Sequence, residues 1–344
     1  MKEDTPDVAF VRRVDRVQRR NGAVGFPIAV IYKYFDDSGP YLAAVIAYYA
    51  FVAVLPLLLL LTTVLGLVLA HNPALQHRIE SSTVSQFPLV GEVVGHPTAL
   101  GGGALGIIVG LVGSLYGGLG VAQATQYAAN TAWAVPRNDR PNPFRARGRS
   151  LLLLATAGAG LLGTTILSAL TASSVGSFGG VLTAAVVLAS VLISAVAFVF
   201  VFRTASACVL TVREVAPGAV AAAVAWQLLQ TFGAIYVGRV VDSSSTTNSV
   251  FGLVLGLLAF LYLTSVVVVI CIEVNVVRVK HLYPRALLTP FTDNVELTRG
   301  DRRAYTGQAE AQRAKGFQAI DVTFHPDGGA ADADPDPERR DSAP

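Results

Sequence analysis

FGLVLGLLAFLYLTSVVVVICIEVNVV, residues 251–277, holds a single charged side chain, Glu273. About 20 apolar residues wound as a helix cross the ~30 Å hydrocarbon layer of a bilayer, so the stretch reads as a membrane span. An acid inside it costs at least ~2.5 kcal/mol unless it has a partner or a task. Working outward, further apolar runs stand at about 42–70, 104–133, 151–173, 181–202 and 216–238. The expected fold class is an all-α membrane protein: a six-transmembrane-helix bundle over 42–280, a cytoplasmic N-terminal region over 1–41 and a cytoplasmic tail over 281–344.

Composition agrees with that reading. Of 344 residues 53% are apolar and only 14% charged, with a mean hydropathy of +0.54, whereas soluble domains carry about 25% charged residues. A water-soluble globular enzyme is excluded on these grounds. The net charge of +3 is too small to argue for nucleic acid, and the basic residues cluster beside apolar runs. Their placement sets an orientation. Seven precede Tyr41, five lie at 137–149 (Arg137, Arg140, Arg145, Arg147, Arg149), two are Arg203 and Arg213, and ten fall from Arg278 onward. Only Arg78 and Arg239 remain for the other side. Lys and Arg gather on the cytoplasmic face, so both termini are expected there. The residues before the first span hold no apolar h-region with a cleavage site, which leaves that span as the targeting signal.

Flanking segments carry weaker signals. Val8, Val11, Val14 and Val17 recur among Arg12, Arg13, Arg16, Arg19 and Arg20, the pattern of an amphipathic interfacial helix or of a solvated basic tail. Asp36, Asp37 and Ser38 stand before Gly39 and Pro40, where they read as caps of the first span before they read as functional acids. Residues 292–344 are polar, Asp- and Pro-containing, and read as disordered.

Within the spans the polar groups are few. Glu273, with Asn275 close behind, reads either as a protonatable or cation-pairing, charge-handling site facing the bundle interior or as a buried acid bonded to a neighbouring helix or paired with Arg278. Gln123, Gln126 and Asn130 fall along one helical face, and Gln227 and Gln230 repeat the idea in the fifth span. Such amides either join helices at about 0.6 kcal/mol per contact or line a polar path. Tyr48 and Tyr49 precede Pro56, where the missing amide hydrogen predicts a kink, serving either a ligand or packing. Gly102, Gly106, Gly110, Gly113 and Gly117, and Gly252 with Gly256, have the spacing that lets helix backbones approach closely. That spacing also leaves a homo-oligomer open.

Catalytic machinery is not visible. His71, His77 and His96 share a loop with Glu80 and Glu92 but lack ligand spacing, and Cys208 and Cys271 form no metal or disulfide pattern. The glycine-rich stretch 101–120 lacks the Lys-Ser/Thr of a phosphate loop. No cofactor, no metal and no enzymatic activity are expected.

Several segments then carry a resemblance: AAVIAYYAFVAVLPLLLLL (43–61), NTAW (130–133), PGAVAAAVAW (217–226) with Tyr236 beyond it, and FGLVLGLLAFLYLTSVVVVICIEVN (251–275). Over about residues 25–280 the chain resembles the YihY/virulence factor BrkB family. The resemblance implies a six-span inner-membrane protein connected with export of lipid or lipopolysaccharide-related material and with serum resistance. The family's former label, ribonuclease BN, is one the missing catalytic residues argue against. Tyr48, Tyr49, Pro56, Asn130, Trp133, Pro217, Gly218, Tyr236, Gly252, Glu273 and Asn275 sit on the family pattern. Ala53 replaces a serine that the family favours, and Cys271 and Ile272 replace Gly-Ala before the acid, which makes that neighbourhood bulkier. The expected function is that of a transporter or lipid translocator, with Glu273 as its charge-handling group and a polar seam from the second, fifth and sixth spans. The rival is a membrane scaffold whose basic segments bind anionic lipid or a partner.

Overall fold

The computed structural model describes residues 14–70, 103–172, 179–243, 246–287 and 296–324. Long helices follow the six apolar runs: α2 (Gly39–Ala70), α3 (Gly103–Ala132), α4 (Pro143–Ala172), α5 (Gly179–Ala205), α6 (Val212–Ser243) and α7 (Thr246–Lys280). Two further helices flank them, α1 (Gly22–Asp36) before and α8 (Arg299–Glu310) after. Among the described residues, five helices are long and apolar enough to cross a membrane, with spans Gly39–Leu61, Ala104–Ala132, Ala184–Ala205, Val212–Gly233 and Val254–Lys280. The expected span at 151–173 lies in α4, a 30-residue helix outside those five.

The glycines of α3 set the closest helix contact. Gly106 faces Thr63, Gly110 faces Leu60, Gly113 faces Pro56, Gly117 faces Ala53 and Gly120 faces Tyr49, so α2 and α3 run antiparallel along one seam. A Cβ on Gly117 would lie 2.6 Å from the Cα and Cβ of Ala53. The family's serine position is therefore a contact point between two helices, and alanine fits it. Gly102 lies outside the described residues, and Gly252 and Gly256 are half-buried on α7. Gly117→Leu is expected to cost about 1–3 kcal/mol by overpacking. Gly158, with nothing within 4 Å of its would-be Cβ, should accept alanine with a gain of up to about 1 kcal/mol. Heat-step size exclusion of the two variants checks both.

One end of the bundle gathers the start of α2, the end of α3, the start of α4, the end of α5, the start of α6 and the end of α7. Lys33 of α1 and Lys280 of α7 donate to Ala132 O and Trp133 O, Arg149 of α4 to Ser206 O, and Arg278 of α7 to Arg213 O. The main apolar core lies here, with Ala132, Trp133, Val215, Ala219, Ile272 and Val276 buried together.

Three expectations are corrected at this end. The N-terminal region holds α1, a helix capped by Asn21 that buries Ala29, Val30, Lys33 and Tyr34. The preceding segment 14–20 is helical as expected, yet Val17 is exposed while Gln18 is buried and donates to Arg285 O. Val8 and Val11 lie outside the described residues. The buried face of the segment is polar because backbone at 285–287 needs partners: Asp15 accepts from Leu287 N at 3.1 Å.

The acids before the first span are the second correction. Asp36 bonds Arg285 and Asp37 bonds Lys33, so both carboxylates are committed to cations and not to the amides of α2. Ser38 takes the left-handed turn, φ 57°, that joins α1 to α2.

The tail is the third. Residues 296–324 are structured, and α8 carries a complete capping box in which Thr298 and Asp301 satisfy each other's backbone. Asp301 is fully buried against Arg285. Composition missed this because the segment folds onto charged partners, not onto an apolar core of its own. Residues 325–344 lie outside the described residues.

Candidate functional site

Glu273 is completely buried in α7, and among the described residues neither carboxylate oxygen has a hydrogen-bond donor. Its nearest counter-charge is the Lys33 ammonium at 3.7 Å. Of the two structural alternatives, the neighbouring-helix one holds: Arg278 is exposed and donates to Arg213 O at 3.0 Å. Two residues after Glu273, Asn275 points the other way.

Lys33 is also buried. One turn further along α1, Asp37 pairs with it, and Ala132 O accepts from its ammonium at 3.2 Å. Lys280 donates to Trp133 O. Two ammoniums thus meet the C-terminal carbonyls of α3, where the helix dipole favours positive charge. Burial disfavours the Lys33 ammonium, but Glu273 and Asp37 outweigh it and hold its pKa above the ordinary 10.5. Lys33 therefore stays charged through the physiological range.

A second cluster adjoins the first through the neighbouring residues Asp36 and Asp37. Arg285, fully buried, meets Asp301 at 2.6 Å and Asp36 at 2.8 Å. Its guanidinium lies between the rings of Tyr32 and Tyr305, 5.9 and 5.5 Å from their centroids. Burial disfavours its charge; Asp36 and Asp301 more than restore it, raising its pKa. Gln308 of α8 donates to Asp37 Oδ1 at 3.1 Å and ties the tail to the Lys33 cluster.

The amides singled out from the sequence mostly join helices. Gln126 donates to Ser150 Oγ at 2.8 Å and to Ala146 O at 3.2 Å, linking α3 to α4. Asn130 Oδ1 accepts from Ala207 N at 2.7 Å, beyond the end of α5. Asn275 Oδ1 accepts from Gly218 N at 2.8 Å, where a Cβ on Gly218 would strike Cys271 O and the Asn275 amide. Close approach at this point is kept despite the bulk of Cys271 and Ile272, because Gly218 on the facing helix supplies the space.

Gln123 is exposed beside a cleft of about 270 Å³ that it shares with Gln126, Asn130 and Arg147. Gln227 and Gln230 are half-buried on α6, in the stretch whose Trp226 and Gly233 meet Phe260. That places them about 20 Å along α7 from Glu273 at 1.5 Å per residue, so one continuous seam of amides is not assembled. Tyr48 is exposed and packs edge-on to Tyr49, which lies against Gly120. Pro56 rests on Gly113 inside an unbroken helix. His71, His77 and His96 lie outside the described residues.

The sequence reading missed Lys33, Arg285 and Asp301. The signals were present: the chain has four lysines, and Lys33 sits in an otherwise apolar helix one turn from Asp37. Thr298 to Asp301 spells a capping box ahead of α8.

Long apolar helices packed through small residues, with acids and bases paired at one end, define a helical multi-pass membrane protein. The family model of virulence factor BrkB matches residues 30–290, and the chain belongs to that family. The matched stretch takes in Lys33, Asp36, Asp37, Glu273 and Arg285 and stops short of Asp301. No curated protein and no solved structure matches the chain.

Proposed function

We propose that the chain is a six-span transporter of the bacterial plasma membrane that translocates lipid or another envelope component, with both termini cytoplasmic. Glu273 is its charge-handling residue. The observation that carries this reading is a fully buried carboxylate that has no hydrogen-bond donor among the described residues and shares the Lys33 ammonium, 3.7 Å away, with Asp37. Such a group is costly and is retained in membrane interiors where charge is moved or exchanged. The sixth span is assigned to α4, whose residues 151–172 carry no charge, and the orientation follows from the basic residues.

The test is leaflet exchange of a fluorescent nitrobenzoxadiazole-labelled phosphatidylglycerol in proteoliposomes, read by dithionite bleaching. The wild-type chain should exceed protein-free liposomes, and Glu273→Gln should fall to their level while remaining monodisperse. Unchanged exchange in the variant removes the role of Glu273. Wild-type exchange no faster than that of protein-free liposomes removes lipid translocation and favours the scaffold.

A further inference from the structure

A cleft of about 620 Å³ opens at the charged end of the bundle between α2, α3 and α8. Its lining changes character with depth along the spans. On the loop side stand Arg137 and Arg140; on the span side stand Leu42 and Val45 of α2 and Ala124 of α3. Tyr41 and Tyr127, both exposed, mark the boundary, the position aromatic side chains take at a membrane–water interface.

The charges in the lining are not equally free. Asp36 is bonded to Arg285 at 2.8 Å, and Asp37 has Lys33 on one oxygen and Gln308 on the other. The Arg137 guanidinium is exposed and has no bond among the described residues. Arg140 uses only Nε, on Val135 O at 3.2 Å, and lies over the Tyr127 ring at 5.2 Å. With the groups behind and beside the lining included, Lys33, Lys280, Arg285, Arg137, Arg140 and Arg313 stand against Asp36, Asp37, Glu273, Asp301, Asp139 and Glu310, an even balance. Among the described residues, the lining charges not taken up in an ion pair are the two arginines, Arg137 and Arg140. Thr131, in the same lining, has a buried Oγ1 without a hydrogen-bond partner among the described residues, a hydroxyl with a donor still to use.

We propose that this cleft holds the headgroup of an anionic phospholipid, its phosphate between Arg137 and Arg140 beside Thr131, and its acyl chains along Tyr41 and Val45. Guanidinium groups match phosphate oxygens in geometry as well as charge. A free anion would satisfy the arginines but has no use for the exposed apolar surface of Tyr41 and Val45 that continues the cleft along α2. The site deepens the transport reading by naming a substrate class and rests on that reading only for calling the lipid a substrate.

Native mass spectrometry of the full chain, titrated with dioleoylphosphatidylglycerol, dioleoylphosphatidylcholine or inorganic phosphate, tests the site. Phosphatidylglycerol should bind tightest, and Arg137→Gln with Arg140→Gln should weaken it by about tenfold. Arg137→Gln alone removes an exposed, unbonded side chain and should keep the fold while losing part of that affinity. Arg145→Gln with Arg213→Gln removes the same charge from exposed positions outside the cleft and should leave affinity within about twofold. Equal binding of phosphatidylcholine, an equal loss in the control pair, or displacement by inorganic phosphate at matching concentration would overturn the proposal. Charge-selective binding without leaflet exchange keeps the site and removes transport; exchange without such binding does the reverse.

Discussion

Lys33→Met should destabilise the folded bundle by about 3–5 kcal/mol, the cost of leaving buried charge without its partner. The substitution strands Asp37 and Glu273 in the same buried pocket and takes a donor from Ala132 O. Glu273→Gln should cost much less, because Lys33 keeps Asp37 and the α3 carbonyl. The double variant Lys33→Met with Glu273→Gln should recover part of the loss, since the two residues share one network and their effects are not additive. Thermal unfolding of the purified single and double variants reads all three. A Lys33→Met chain as stable as the wild type would show that the cluster is neutral without its ammonium and would sink the account.

The pH dependence of this pair has a definite sign. The Lys33 pKa is raised on folding above 10.5, so its contribution is fully present below that value and is lost as pH climbs through the higher folded value. Lys33 is therefore expected to add no pH dependence to stability between pH 6 and 9, its contribution there being constant. A fall in stability across that window in the wild type, absent in Lys33→Met, would contradict it.

The helices were legible because membrane spans are written in composition. Bilayer thickness fixes a length and hydrocarbon forbids charge, and the apolar runs at 42–70 and 104–133 coincide with α2 and α3 to within three residues. The α2–α3 seam was half legible: the spacing of Gly106, Gly110, Gly113 and Gly117 announced close packing, but the partner face, from Tyr49 through Pro56 to Thr63, has no glycine pattern to announce it. Glu273 stood out as an acid where none belongs. Its partner did not, because Lys33 lies 240 residues earlier and no linear spacing joins it to the acid. The amides were legible as polar and not as joined. Asn130 and Asn275 each bond a backbone N–H across a helix–helix contact, and nothing in a one-dimensional pattern says which amide hydrogen lies opposite.

Arg285→Met should have an effect of similar size to Lys33→Met, about 3–5 kcal/mol, but with a different distribution over the chain. Arg285 holds Asp36 from the end of α1 and Asp301 from α8, while its own carbonyl accepts from Gln18. Asp301 in turn accepts from Ala286 N and Thr298 N, each at 2.9 Å, so loss of the guanidinium leaves a buried carboxylate with neutral donors only. Asp301→Asn separates the two consequences. It removes the charge from α8 and leaves Asp36 with Arg285, so it should loosen 296–324 and spare the spans. Hydrogen exchange is expected to show protection lost over α8 in both variants and over α1 only in Arg285→Met. Because α8 carries Gln308 to Asp37, a loosened α8 also takes a donor from the acid that pairs with Lys33. Leaflet exchange should therefore change in Asp301→Asn although no span residue is altered. Exchange identical to the wild type, with α8 protection lost, would separate the tail from the charged cluster and confine its role to stability.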